Sequence, residues 1–232
     1  MRKESGGDWK TIKTVSSSNN SYTDKTTKNG VKYYYAVKAV KGDSLSYYES
    51  KSFKYFGSPK ATVANKTSAI TVTWDKISGA KSYYVYRKAP GETSWKRIAI
   101  VTKNIYTDSN VKNGKIYKYT VKAYYSAYVS AYNTNGYAVR RLLTPTLKSV
   151  TSAKSGITFT WNKVTGATGY MVYRKTGNGG WQKIATVKGT SKISYLDKSA
   201  KKGVTYKYTV KAYYGTSTSY YNTKGLTIKD KY

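Results

Sequence analysis

The run Asn113-Gly114-Lys115-Ile116-Tyr117-Lys118-Tyr119-Thr120-Val121-Lys122-Ala123 decides the fold class. Tyr117, Tyr119, Val121 and Ala123 point one way, while Lys118, Thr120 and Lys122 point the other. A period of two marks a strand with one buried face. The Asn-Gly ahead of it is a turn signal. The phrase has two copies, NGVKYYYAVKA from Asn29 and KGVTYKYTVKA from Lys202. A second phrase precedes each of the three: RKESGGDWKTI from Arg2, RKAPGETSWKRI from Arg87 and RKTGNGGWQKI from Arg174. Its tryptophans, Trp9, Trp95 and Trp181, lie 86 residues apart. Tandem copies of one folding unit keep such spacing, and the repeat has the length of a small domain rather than a solenoid turn. A chain of like modules leaves little room for a dedicated active site.

The same period recurs elsewhere. Tyr206, Tyr208, Val210 and Ala212 alternate with Lys207, Thr209 and Lys211. Ile70-Thr71-Val72-Thr73-Trp74 has its copy in Ile157-Thr158-Phe159-Thr160-Trp161, with Thr, a good strand former, on the outer face. No segment carries a helical stripe of useful length. Ser78-Gly79, Pro90-Gly91, Thr165-Gly166 and Asn178-Gly179 punctuate the strands as turns. Many short alternating strands with frequent turns predict an all-β chain of antiparallel sandwiches.

Together, TVTWDKISGAKSYYVYRK from Thr71, the SWKRIAIV around Trp95, the YTD of residues 106–108 and the Y-x-Y-x-V-x-A run resemble a fibronectin type III domain. They look most like the versions found in long extracellular proteins of Gram-positive gut bacteria. The resemblance covers nearly the whole chain and recurs in register. It implies tandem immunoglobulin-like sandwiches with Trp74 and Trp161 on strand B in the core and Tyr83 and Tyr170 facing inward on strand C. It also implies that Tyr33, Tyr117 and Tyr206 open strand F as tyrosine corners, each hydroxyl finding a backbone partner. The family usually carries Leu and Pro just before this tyrosine. Here those places hold Thr27 and Asn29, Val111 and Asn113, and Ala200 and Lys202, which weakens the apolar anchor of the corner.

Boundaries follow at Ser58-Pro59 and Thr144-Pro145, where a proline suits an edge strand. Residues 1–57 then form a partial unit with strands C′ to G only, and residues 58–142 and 143–232 form whole units. The linkers Phe56-Gly57-Ser58 and Leu142-Leu143-Thr144 are short, so a semi-extended rod with limited bending is expected. Arg2-Lys3 matches Arg87-Lys88, which ends strand C, so the first unit lacks strands A, B and C. Its face of Tyr33, Tyr35, Val37 and Ala39 is expected to lie uncovered, which favours association. A longer parent chain, strand exchange with a second copy, or loose order would each account for that, and the fragment reading also accounts for the missing signal peptide. Met1-Arg2-Lys3 is followed by no apolar stretch, so no secretory signal is read. No apolar run approaches the ~20 residues of a membrane helix.

Composition narrows the chemistry. The 232 residues hold 42 Lys plus Arg, 10 Asp plus Glu, no His and no Cys, for a net charge of +32. The charge is spread: +6 over 1–57, +12 over 58–142 and +14 over 143–232. Such a field attracts nucleic acid, anionic lipid, teichoic acid or sulfated glycan alike. Nucleic acid is the least favoured, because the cations recur on every unit rather than lining one groove. Without Cys no disulfide or thiolate chemistry exists, and without His the usual acid–base partner is absent. Asp24, Asp108 and Asp197 are copies of one turn residue, and no copy holds a carboxylate pair. Catalytic, cofactor and metal residues are therefore none. There is no RGD triplet.

Tyrosine is the outlying residue, with 28 copies. Tyr124, Tyr125, Tyr128 and Tyr132 crowd the segment between strands F and G of the second unit, and Tyr213, Tyr214, Tyr220 and Tyr221 do so in the third. Adjacent strand residues face opposite ways, so one of each pair is expected toward solvent. Two readings stay open. Exposed Tyr beside Lys can stack on a sugar ring while the cation meets an anion. Alternatively, outward Tyr packs across strands on Trp95, Trp181, Tyr86, Tyr173 and lysine stems. The expected function is a non-catalytic spacer or adhesion module at a cell surface or outside the cell. The expected partners are cell-wall polymers, acidic glycans or another surface protein.

Overall fold

The computed structural model describes every residue except Asn29 and Ala127, and nothing is said of the side chains of Phe53 and Lys54. The Asn29 place ahead of Tyr33 therefore lies outside the described residues. Among the described residues no helix is long and apolar enough to cross a membrane. The chain is all-β and antiparallel, a tandem of immunoglobulin-like sandwiches whose first unit is incomplete.

The first stretch holds β1 (Arg2–Glu4), β2 (Lys32–Ala36), β3 (Val40–Lys41), β4 (Ser44–Leu45) and β5 (Ser50–Lys54). Strands β1, β2 and β5 make one three-stranded sheet, and β3 and β4 a small hairpin. The first whole sandwich holds β6 (Ala61–Asn65), β7 (Ile70–Trp74), β8 (Ser82–Lys88), β9 (Lys96–Val101), β10 (Ile105–Asp108), β11 (Ile116–Tyr125), β12 (Tyr128–Val129) and β13 (Tyr137–Arg140). The second repeats it as β14 (Leu147–Ala153), β15 (Gly156–Trp161), β16 (Gly169–Thr176), β17 (Gln182–Lys188), β18 (Ser194–Asp197), β19 (Thr205–Tyr214), β20 (Ser217–Thr218) and β21 (Leu226–Lys229). In each, one sheet runs β10-β7-β6 or β18-β15-β14, the E-B-A order. The other runs β9-β8-β11 or β17-β16-β19, with the last strand, β13 or β21, also on β11 or β19. That is the C′-C-F-G order, with A on the edge of the opposite sheet.

The alternation of Tyr117 through Ala123 becomes the core. Tyr117, Tyr119, Val121 and Ala123 of β11 are buried against Ile70, Val72 and Trp74 of β7 and Tyr83 and Val85 of β8. The third unit buries Ile157, Phe159, Trp161, Tyr170, Val172, Tyr206, Tyr208, Val210 and Ala212. Trp74 meets Tyr83 edge-on at 5.2 Å, and Trp161 meets Tyr170 at 5.3 Å, geometries that aromatic quadrupoles favour. The corner hydroxyls accept backbone amides in all three copies: Lys28 N at 2.8 Å from Tyr33, Lys112 N at 2.8 Å from Tyr117 and Lys201 N at 3.1 Å from Tyr206. The corner forms without the family's Leu and Pro because this bond spans only five residues.

The first stretch departs from expectation in two ways. Its β1 is the end of strand C, paired with β2 through Arg2↔Tyr35 and Lys3↔Tyr34, as β8 pairs with β11. C′ is reduced to one bridge, Arg2↔Lys10, and no strand forms at the E position around Tyr22. E has no ladder to join, because strand B is not there. The face expected to lie bare is also partly covered. Tyr33 is fully buried, with Arg2 4.8 Å over its ring and Lys28 at its hydroxyl, and Tyr35 is half-buried. Strand β2 stops at Ala36, so Val37 falls outside it and stands 85% exposed.

Candidate functional site

Three features stand out from the bland surface: a buried ionic clip, an aromatic–lysine ladder and a cleft between the second and third units.

The clip is built from the two repeat phrases. Arg87 Nη1 donates to Asp108 Oδ2 at 2.8 Å, and the Tyr119 hydroxyl donates to the same oxygen at 2.8 Å. Its copies are Arg174, Asp197 and Tyr208 at 2.7 and 2.7 Å, and Arg2, Asp24 and Tyr35 at 2.9 and 3.0 Å. The other oxygen accepts the amide two residues on, from Thr26, Asn110 and Ser199. The turn reading of these aspartates therefore describes half of their work. The rest ties strand C to strands E and F across the sandwich edge. Asp108 and Asp197 are buried, and each is paired with a guanidinium and a tyrosine hydroxyl, as buried polar groups require. Burial works against ionisation of Asp24, but hydrogen bonds from the Thr26 hydroxyl and amide, Arg2 and Tyr35 outweigh it and hold that carboxyl at about 2. The Asp197 carboxyl is also lowered: burial opposes this, and Tyr208, Ser199 and Arg174 override it. Burial and the neighbouring carboxylate push the Tyr119 and Tyr208 hydroxyls well up and Tyr35 to about 12, so all three act as donors at neutral pH. The sequence signal was present in the constant 11-residue step from Asp to Tyr in each copy, with an Arg 21 to 23 residues ahead of each Asp. Recurrence does not say which repeated residues touch.

The tyrosines singled out in the sequence go to separate places. Tyr124, Tyr125, Tyr213 and Tyr214 are not in F–G loops. Strand F runs on through them and pairs with β12 or β20. Tyr124 stacks on Tyr84 at 5.3 Å, and its hydroxyl donates to the Ser126 carbonyl. Tyr213 lies on Gly169, where an added Cβ would stand 2.6 Å from its hydroxyl. Tyr125 is buried and stacks on Phe56 at 3.5 Å, while Tyr128 is 62% exposed with its ring 6.4 Å from Phe56. Tyr214 lies under the Arg140 guanidinium at 3.7 Å. Tyr125 and Tyr214 are thus spent on holding the preceding unit.

Tyr132 and Tyr221 join the ladder. Trp95 meets Tyr132 at 6.4 Å and 85°, Trp181 meets Tyr221 at 6.3 Å and 79°, and Trp9 meets Tyr48 at 5.5 Å and 77°. Lys88, Lys175 and Lys3 cover the indoles at 5.0, 5.4 and 5.2 Å. Lys122, Lys211 and Lys38 cover the tyrosines at 4.5, 4.9 and 4.8 Å. Lys122 and Lys211 also reach Tyr86 and Tyr173. Outward aromatics therefore pack across strands on each other, with lysine ammonium groups over their rings. The Trp181 ring fits because Gly225 sits beneath it, where a Cβ would come within 2.6 Å of Cη2.

At the junction of the second and third units, Asn65 is the node. Its Nδ2 donates to the carbonyls of Arg140 (2.9 Å) and Thr218 (3.0 Å), and its Oδ1 accepts from the Leu142 amide (3.1 Å) and Arg141 Nη1 (3.3 Å). Arg141 is buried, and its guanidinium donates to the carbonyls of Lys66, Thr67 and Leu142. Burial lowers its pKa. Arg140 N donates to Ser217 Oγ at 3.0 Å, closing the contact. Beside it lies a cleft of about 400 Å3, lined by β6, β13, Lys211 and residues 216–220. Tyr220 is its aromatic wall, with Lys66 5.3 Å over the ring. Among the described residues no group of three or more acidic side chains could hold a metal.

No protein-family model matches the chain, and no curated protein matches it. Solved structures do. The chicken CNTN1 FN1–FN3 domains are 18% identical over 88% of this chain and 79% of theirs, with a TM-score of 0.42. A Fn3-like protein from Clostridium thermocellum is 27% identical over 33% of this chain and 83% of its own, with a TM-score of 0.30. A two-domain fibronectin type III segment of chicken tenascin is 18% identical over 74% of this chain and 99% of its own, with a TM-score of 0.34. The assignment of the fold stands on the strand orders and registers described above.

Proposed function

We propose that this chain is a non-catalytic spacer and adhesion element of a longer surface or secreted protein, divided near residues 57–58 and 142–143. One observation carries the reading: consecutive units are tied to each other by built contacts, Asn65 with the Thr218 carbonyl and the Arg140 amide with Ser217 at one junction, and Phe56 with Tyr125 at the other. Flexible linkers would need neither. A series of fixed junctions sets the distance between whatever lies at the two ends, which is what a spacer does. Residual dipolar couplings on the full chain test this. One alignment tensor shared by the second and third units is expected; independent tensors would overturn it.

A second reading is favoured by the ladder. Repeated aromatic rings with lysines over them suit a polyanion or an acidic glycan, and the partners are then cell-wall polymers, acidic glycans or another surface protein. Retention on such a polymer at physiological salt, with loss on ladder substitution, supports it. Retention that vanishes at that salt reduces it to charge alone.

A further inference from the structure

We infer that the cleft between the second and third units is a subsite for an acidic polysaccharide, and that the bound chain continues from it along the ladder of the third unit. The inference rests on the second reading above, the glycan-binding one, and leaves the spacer reading standing if it fails.

The cleft is made by two units at once. Its lining includes Ala61 and Val63 of β6 and Val139 of β13, which also pack into the core of the second unit. Its walls carry Tyr220, Lys66 and Lys211, and the hairpin tip at 216–218 adds three hydroxyls. No lining residue is acidic. The Tyr220 ring suits the C–H face of a sugar ring, the hydroxyls suit its edge, and the lysines, with no acidic residue in the lining, favour negative charge on it. The volume, about 400 Å3, falls in the range of pockets that enclose small ligands.

Two contacts argue for a polymer over a free sugar. Tyr220 packs on Tyr221 at 5.3 Å, and Tyr221 in turn meets Trp181. Lys211 both lines the cleft and covers Tyr221. Cleft and ladder are thus one surface, and a ligand filling only the cleft would leave half of it unused. The other junction lacks the counterpart. Position 131, which matches 220, is Ala, and its amide donates to the Phe56 carbonyl. The site is therefore assigned to this junction alone.

That Ala also supplies the test, because Tyr220→Ala places in one unit what the other already carries. The full chain would be titrated at physiological salt with dextran, dextran sulfate, polygalacturonate and polyphosphate. Dextran supplies rings without charge, and polyphosphate supplies charge without rings. Binding of dextran sulfate or polygalacturonate is expected, the two separating sulfate from carboxylate as the anion. Tyr220→Ala should weaken it about tenfold or more, the scale of one lost ring stack. Lys211→Gln should weaken it severalfold. Lys154→Gln, which removes one exposed charge from the β14–β15 turn, should change it by less than about twofold. Failure of both charged glycans to bind overturns the assignment. So does a Tyr220→Ala protein that binds like the parent, or polyphosphate bound as tightly as dextran sulfate. Near-UV circular dichroism checks that the variants are folded. Shared dipolar alignment in a chain that binds nothing would sink the subsite and keep the spacer.

Discussion

The two junctions join like units in unlike ways. Between the first stretch and the second unit the contact is aromatic, with Phe56 stacked on Tyr125 and the Phe56 carbonyl accepting the Ala131 amide. Between the second and third units it is polar: Asn65, bonded to Arg140 and Arg141 of its own unit, donates to the Thr218 carbonyl, and the Arg140 amide donates to Ser217. The backbones also approach differently. A Cβ on Gly166 would stand 2.7 Å from the Gly114 Cα, whereas one on the matching Gly79 meets nothing closer than a tyrosine ring at 3.7 Å. An aromatic stack tolerates sliding and depends on area, but a hydrogen-bonded node with touching backbones fixes one orientation. The second junction is therefore the stiffer one. It is also the one that encloses a cleft.

The largest expected effect comes from breaking the aromatic junction. Phe56→Ala deletes a buried ring and should cost about 3–5 kcal/mol of the coupling between the first stretch and the second unit. Hydrogen exchange would show protection lost from β2 and kept in β16 and β19. Protection of β2 that survives would mean the Arg2–Asp24 clip holds the first stretch unaided. At the polar junction, Asn65→Ala strands the Leu142 amide and one guanidinium bond of Arg141. It should cost about 1–3 kcal/mol for each buried group left unpaired. Dipolar couplings should then split into two alignment tensors. A smaller effect isolates the backbone contact. Gly166→Val and Gly79→Val share the strain of a positive φ, +82° and +76°. Only the first drives a side chain into a neighbouring unit, so it should lose roughly 1–2 kcal/mol more on thermal melting. Equal losses would say that the close approach is slack.

How far the sequence discloses this depends on the kind of link. The sandwiches were legible because alternation is a local property: Tyr117 to Ala123 show their buried face without a partner in view, and Trp74 and Trp161 follow. The corner tyrosines were legible because their bonds span five residues. The junctions were not. Tyr125 and Tyr214 occupy the same place in the same phrase, yet one meets Phe56 and the other Arg140, since the difference lies in the preceding unit. Nor did pairs such as Tyr124-Tyr125 announce that strand F extends through them, because the hairpin strand that pairs with them is only two residues long. The lack of strand E in the first stretch has the same root: a strand is stable only beside another, and what stands beside it is not written in its own residues.

Acid separates the clips from the junctions. An aspartate in an unfolded chain titrates near pH ~3.9. Asp24 is held at about 2 in the fold, and Asp197 is lowered too. A depressed carboxyl stabilises the fold fully above the unfolded value, and that stabilisation is lost as pH falls through the folded one. For Asp24 the window therefore runs from about pH 4 down to about pH 2. Among the described partners of Asn65, Arg140 and Arg141 there is no carboxylate, and the Phe56–Tyr125 stack contains none. Lowering the pH from 7 to 5 should change nothing, and below about pH 4 the Asp24 and Asp197 clips should fail first, loosening the first stretch and the third unit while the junction contacts persist. Amide shifts of Thr26 and Ser199, which donate to these carboxylates, would report the clips, and dipolar couplings would report the junctions. If the couplings change before the amide shifts do, the junctions depend on charges inside the sandwiches, and the division between a self-contained unit and a separately built joint fails.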